Sequence, residues 1–200
     1  MLDLLDYRRR VHEMYRNIRV ESGGEATCAT FRQAKDVLFR THPQSALDGE
    51  QQTTFEGLRY YDYDPAYRVV ATVDRQVEVE VITIELEGDG RFSYRRFGEV
   101  RFTLPTGTGR LSLFWINGYG GGVFLPFGDA TNRDTTYGAG RYLYDTIKGA
   151  DLGTSMDEMV LDFNYAYNPS CVYNARWVCP LAPRENRLPF PIPVGEKVWG

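Results

Sequence analysis

The chain has 200 residues, of which 42% are hydrophobic, 25% charged and 14% aromatic; this composition is globular, able to bury about 70% of its unfolded surface, and excludes disordered, collagenous and coiled-coil classes. A net charge of −4 supplies no general attraction to phosphate backbones or anionic lipid, so neither nucleic acid nor membrane is an expected partner. No apolar run is long enough to span a bilayer, and Asp3, Asp6, Arg8, Arg9, Arg10, Glu13, Arg16 and Arg19 stand where a signal peptide needs an apolar core, so a cytoplasmic, single-domain protein is expected.

From Leu2 to about Val20, Leu2, Leu5, Val11, Met14, Tyr15 and Ile18 recur at helical intervals with Arg and Glu between them, which predicts an amphipathic helix. Gly23 and Gly24, within Glu21 to Glu25, end it. A second start signal stands at Thr30, where Thr30 and Gln33 have capping-box spacing, and Phe31, Ala34, Val37 and Leu38 define a helical stripe. His42-Pro43 stops that helix. Residues 1–43 are therefore a helical N-terminal segment, and the polar, aperiodic stretch from Gln44 to Thr54 reads as a loop.

From Phe55 the apolar period shortens to 2, in runs rich in Val, Ile, Thr, Tyr and Phe. Strands are predicted at Leu58 to Tyr61, Tyr67 to Val73, Val77 to Leu86, Phe92 to Phe97, Val100 to Leu104, Leu111 to Ile116 and Val123 to Phe127. Val77, Val79 and Val81 share one phase and Ile82, Ile84 and Leu86 the other, which predicts a bulge near Val81-Ile82. Turns are marked by Gly88-Asp89-Gly90, Pro105-Thr106-Gly107 and Asn117-Gly118. Such a meander needs a closed barrel or two packed sheets. The fold class is thus mainly β: an antiparallel barrel or sandwich over 55–143 after N-terminal helices.

Six of the ten prolines, Pro169, Pro180, Pro183, Pro189, Pro191 and Pro193, fall in the last third and exclude regular helix or central strand there. The same stretch holds Phe163, Tyr165, Tyr167, Tyr173, Trp177 and Phe190, too apolar for a disordered tail. Residues 161–200 are read as an ordered, irregular, Pro-rich cover on the β core.

Functional residue types concentrate in Asp129 to Tyr144 and Leu161 to Asn186. In the first, Asp129, Thr131, Asn132 and Thr135 can bond turn backbone, Tyr137 offers a phenol, Gly138 and Gly140 permit close approach, and Arg141 is a forked cation suited to an anion or carboxylate. A framework alternative has Asp129 and Thr131 capping a loop and Arg141 pairing with Asp162. In the second, Asp162, Asn164, Asn168, Tyr173, Asn174, Glu185 and Asn186 stand among aromatics, as a polar planar ligand requires; the alternative is that these asparagines bond loop backbone. Asp62 and Asp64 offer a carboxylate pair that could divide acid and base work; the alternative, beside Pro65, is that they form turn bonds to backbone.

Cys28, Cys171 and Cys179 are an odd set that fits a reduced compartment; Cys171 and Cys179 are close enough in sequence to bridge on oxidation, but spacing does not fix the geometry. His12 and His42 are the two histidines, which excludes a three-histidine zinc centre, and Cys171, Cys179 and His42 match no common zinc spacing. Neither metal nor cofactor is expected. GxSxG, HExxH and a helix-opening GxGxxG are absent, and Tyr119-Gly120-Gly121-Gly122 reads as a hairpin loop rather than a phosphate cradle.

The blocks FRQAKDVLFRTHPQSAL, FEGLRYYDYDPAYRVVA, FGEVRFTL, FLPFGDAT, TYGAGRYL, LDFNYAYNPSCVYN, WVCPLAPREN and IPVGEK resemble, nearly end to end, the bacterial and archaeal family named domain of unknown function 1684. The sequence departs from the family pattern at Ala46, where Pro often follows HPQS, and at Asp134-Thr135. The resemblance implies a compact β-rich domain and no assigned activity. Its motif positions, among them Asp129, Tyr137, Arg141, Asp162, Asn164, Asn168, Cys171, Asn174, Cys179, Glu185 and Asn186, coincide with the two stretches chosen on chemical grounds.

The leading expectation is a domain binding a small polar or anionic molecule in a pocket between β core and cover. Arg141 would hold an anionic group, and Asn164, Asn168 and Tyr173 would orient the rest, with Tyr137, Asn174 and Asn186 beside them. One alternative is a hydrolase-like or isomerase-like enzyme in the same pocket, with Asp129, Asp162 or Glu185 as general base and Tyr137 or Arg141 as electrophilic partner. Another is a protein-protein interaction module docking through the aromatic cover.

Overall fold

A computed structural model describes residues 1–21, 23–86 and 90–199. Helix α1 spans Leu2–Val20 and α2 spans Glu25–Thr41. Gly23, at φ 77°, turns the chain between them. Tyr15 and Ile18 of α1 are buried, whereas Leu2 and Leu5 are exposed. Helix α2 begins five residues earlier than the Thr30 signal: Gly24 is its N-cap, and Thr30 lies mid-helix with its hydroxyl donating to Ala26 O. Its buried stripe is Cys28, Phe31, Lys35, Leu38 and Phe39, offset from the predicted one, so Val37 is exposed and a lysine faces inward.

The stretch expected as a loop holds a short helix, α3, at Gly49–Thr54. A capping box makes it: Asp48 accepts from Gln51 N–H, and Gln51 accepts from Asp48 N–H. The strand predicted at Leu58 to Tyr61 is a single bridge between Tyr60 and Glu196.

Eight antiparallel strands form one curled sheet, a half-barrel: β1 (Arg68–Asp74), β2 (Val81–Leu86), β3 (Gly90–Leu104), β4 (Gly107–Ile116), β5 (Gly122–Phe127), β6 (Arg141–Asp145), β7 (Thr154–Ser155) and β8 (Glu158–Asp162). The order is β6-β5-β4-β3-β1-β8-β7, with β2 also paired to β3. The mainly β class with N-terminal helices therefore holds. The bulge, however, lies in β3 between Arg96 and Gly98 rather than at Val81-Ile82. There β3 exchanges partners, leaving β2 after Arg95 and meeting β1 at Glu99 and Val100. Strand β2 starts at Val81, so Val79 lies outside it and the apparent phase shift is its end. Pro105-Thr106 makes the β3–β4 hairpin and residues 117–121 connect β4 to β5; the turn expected at Gly88-Asp89 lies outside the described residues.

Residues 163–199 form no extended strand among the described residues, only 3-10 turns at Phe163–Tyr165, Ser170–Val172 and Arg184–Asn186. They are nonetheless packed. One apolar cluster joins Tyr15 and Phe31 of the helices, Leu111, Leu125 and Leu143 of the sheet, and Ile192 and Val194 of the cover. At roughly 25 cal/mol per Å² of apolar area removed from water, such side chains each stabilise the fold by about 1.5–3 kcal/mol. No helix among the described residues is long and apolar enough to cross a membrane.

Candidate functional site

Gly140 directs the chain into β6 at φ 104°, where a Cβ would stand 2.4 Å from Phe127 O. The next residue, Arg141, is fully buried over the Phe127 ring. Its Nη2 donates to Asp129 Oδ2 at 2.9 Å and to Ile192 O at 2.9 Å, and its Nη1 donates to Val194 O at 2.5 Å and Glu196 O at 3.1 Å. Asp129 Oδ1 accepts from Thr131 N–H and from Ile192 N–H. The guanidinium is thus engaged by one carboxylate and three carbonyls of the cover, and Asp129, not Asp162, is its partner.

The asparagines do comparable work. Asn186 Oδ1 accepts from Ser112 N–H while its Nδ2 donates to Ser112 O and Pro126 O, so one side chain serves as a rung on β4 and β5. Asn164 grips both backbone groups of Asp64 and donates to Asp162 Oδ1. Asp64 in turn accepts from Ala66 N–H, the turn role expected of it. Asn174 donates to Asp48 Oδ2 at the start of α3. Asp162 lies at the end of β8 with Arg68 Nε 3.7 Å away and Oδ2 without a hydrogen bond; burial raises its pKa above the ordinary value. Glu185 is exposed, in a surface groove with Arg101 and Arg110. The predicted site residues are therefore distributed over several places, with Asn168 and Tyr173 close together at one of them.

That place is a cavity of about 80 Å³ between the helices and the cover. Tyr7, Val11 and Tyr15 of α1 and Phe31, Lys35 and Phe39 of α2 form one side; Tyr142 of β6 and Tyr167, Asn168 and Tyr173 of the cover form the other. Tyr142 and Tyr167 exchange backbone hydrogen bonds, latching the cover to the edge of the sheet. Lys35 is ion-paired with Glu196, and both side chains are nearly inaccessible. Glu196 Oε2 also accepts from Asn168 N–H at 2.8 Å and from the Tyr173 hydroxyl at 2.7 Å. Lys35 Nζ lies 4.9 Å from the Tyr167 ring centre and 5.5 Å from that of Phe39. Asn168 Nδ2 donates to Lys197 O, whereas its Oδ1 is buried without a partner.

Burial pushes Tyr7 up to about 12, and Tyr15, Tyr142, Tyr167 and Tyr173 are raised by the same cause, so every phenol here stays protonated at neutral pH. Lys35 and Glu196 were not among the predicted site residues. A signal for Lys35 existed: Phe31, Lys35, Leu38 and Phe39 follow helical spacing and put the lysine on the buried stripe. Glu196, inside VGEK near the end of the chain, carries no such signal.

Fold and cavity together define a helix-capped β half-barrel of unassigned activity. The chain belongs to the family described as Protein of unknown function (DUF1684), whose model matches residues 53–197. That span includes Asn168, Tyr173 and Glu196 and excludes α1 and α2. The chain is also similar to the uncharacterized protein from gene locus rrnAC0354 of Haloarcula marismortui, whose solution NMR structure shares 33% identity and a TM-score of 0.61 over 86% of this chain and 93% of that one. No curated protein matches.

Proposed function

We propose that the protein binds a small neutral molecule with an apolar body and one polar head in the cavity between helices and cover. The observation that carries this reading is the pair of unspent groups at the cavity: Lys35, whose ammonium has three donors and a single hydrogen-bonded partner in Glu196, and Asn168 Oδ1, an acceptor with none. A head that accepts from Lys35 and donates to Asn168, such as an amide or hydroxyl, meets both. Charge balance favours a neutral head over an anion. Lys35 and Glu196 already neutralise each other, and Lys148, the other cation lining the cavity, is paired with Asp145 and largely in solvent, so a second buried anion would face Glu196 without an unpaired buried cation to offset its desolvation. The volume, well below the roughly 300 Å³ at which drug-sized pockets begin, limits the enclosed part to a few heavy atoms. Arg141, the cation first expected to receive the ligand, is replaced in this reading by Lys35.

The test is calorimetric titration with butyramide, butanol and butyrate, with chemical shifts of Tyr7, Tyr167 and Tyr173 followed in parallel. Butyramide is expected to bind saturably and more tightly than butyrate, and Lys35→Met, once shown to be folded, to lose about tenfold in affinity. Tighter binding of butyrate would overturn the neutral-head reading, and no saturable binding of any of the three would overturn the ligand site itself.

A further inference from the structure

A groove of about 400 Å³ on the β1–β8 pair shares no lining residue with the cavity between helices and cover. Ile18 and Arg19 at the end of α1 and residues 152–155 wall it. Along its floor the strand register sets Arg68 opposite Asp162 and then Val70 opposite Val160. The charged pair is incomplete. The Asp162 side chain is 1% exposed; its Oδ1 accepts from Asn164 N–H and from Asn164 Nδ2, and its Oδ2 accepts from nothing. The Arg68 guanidinium, 33% exposed, stands with Nε 3.7 Å from that oxygen, too far for a hydrogen bond, and makes none elsewhere among the described residues. Gly23 passes beside both groups, with its Cβ position 3.5 Å from Arg68 Nε and 3.7 Å from Asp162 Oδ2, and brings no side-chain donor or acceptor.

A buried carboxylate oxygen calls for a donor, and a guanidinium with no hydrogen bond calls for acceptors. A ligand of one charge meets only half of this demand: an anion on Arg68 faces Asp162, and a cation on Asp162 faces Arg68. A head that carries an ammonium and a carboxylate on neighbouring atoms meets both. Its charge-assisted hydrogen bonds are also about twice as strong as those of a neutral amide. The remaining charges of the groove do not disturb this balance, because Arg19 is already paired with Asp151 at 3.4 Å and Glu158 is exposed, further along the ladder opposite Thr72. Next to the charged pair the groove is aliphatic, with Ile18, Val70, Leu152 and Val160, and Val70 is 53% exposed.

We infer that this groove binds a free α-amino acid with an aliphatic side chain, the ammonium donating to Asp162 Oδ2, the carboxylate accepting from the Arg68 guanidinium, and the side chain covering Val70 and Val160. Oδ2 is shielded from solvent, so the partly exposed guanidinium turns toward the groove as the ligand enters. It exchanges a contact without a hydrogen bond for the planar, forked pairing with a carboxylate that arginine is built to make. The groove exceeds the roughly 300 Å³ at which small-molecule sites begin, so the whole ligand is accommodated. The inference is independent of any ligand in the cavity between helices and cover.

The experiment titrates the full chain calorimetrically with L-leucine, with isocaproate, which lacks the amine, with isoamylamine, which lacks the carboxylate, and with isocaproamide, whose head is neutral. Methyl chemical shifts of Ile18, Leu152 and Val160 are followed in parallel. Leucine is expected to bind saturably, about tenfold or more tighter than each analogue, and to shift those methyls. Asn164 holds the oxygen of an amide at position 162 toward itself, so Asp162→Asn presents a donor where Oδ2 accepted and should weaken leucine and isoamylamine alike. Arg68→Gln, at a partly exposed position and readable even if the first variant does not fold, should weaken leucine about tenfold and leave isoamylamine unchanged. An analogue that matches leucine would overturn the doubly charged head in favour of the charge or amide it retains. Shifts at Tyr7, Tyr167 and Tyr173 in place of the groove methyls, or no saturable binding of leucine, would overturn the site.

Discussion

Lys35 on α2 is ion-paired with Glu196 of the cover across 161 residues of sequence. The pair ties the helical segment to the last part of the fold, and each partner is buried enough that losing the other leaves a stranded charge. Lys35→Met is expected to destabilise the protein by roughly 3 kcal/mol in urea unfolding, the lower end for a broken buried pair because Lys35 keeps slight access to the cavity. Adding Glu196→Gln, which retains acceptors for Asn168 N–H and the Tyr173 hydroxyl, should recover part of that loss. Strictly additive losses in the double-variant cycle would show that the two charges do not interact.

Arg141 distributes its donors over Asp129 and the carbonyls of residues 192, 194 and 196. A lysine keeps the charge but cannot span that set with one ammonium. Arg141→Lys should therefore cost about 3–5 kcal/mol, equivalent for a chain of this size to a fall of roughly 6–20 °C in Tm, while butyramide binding to the folded fraction is unchanged. If the variant melts with the wild type but no longer binds, the guanidinium is a ligand receptor after all.

Burial holds the Asp162 carboxyl above its ordinary value of 3.8. The folded state thus takes up the proton more readily than the unfolded state, so the stabilisation from this group is fully present below that value and is lost as pH rises through the elevated folded pKa. Asp162→Asn keeps the side-chain oxygen that accepts from Asn164 and removes the titration. The gap in urea midpoint between wild type and variant should move in favour of the variant from pH 4 to pH 7; parallel curves would mean that Asp162 titrates normally.

The parts legible in the sequence were those whose period is local. The end of α2 at His42-Pro43, the start of β1 after Pro65 and the β3–β4 hairpin at Pro105-Thr106 all follow from turn chemistry and alternation within a few residues. Strand β8 was missed because Glu158–Asp162 is short and one of its faces is read only against β1, to which it pairs from Arg68 to Thr72. Helix α3 was missed because its stabilisation comes from the Asp48–Gln51 capping box rather than an apolar stripe. The asparagines illustrate the harder limit: Asn186 and Asn168 look alike in sequence, yet one finds two backbone segments to bridge and the other leaves an oxygen unpaired. Only the long-range course of the cover decides between those outcomes.

The cup of carbonyls around Arg141 also orders events in time. Translation delivers Asp129 and β6 well before residues 192–196 leave the ribosome, and until those arrive the Arg141 guanidinium has one carboxylate partner and none of its three carbonyl acceptors, which makes its withdrawal from water costly. The edge of the sheet at β6 is therefore expected to settle only when the cover arrives. By the same logic, proteolytic loss of that segment would not trim the molecule but reopen it, exposing a buried cation on β6 at the edge of the sheet.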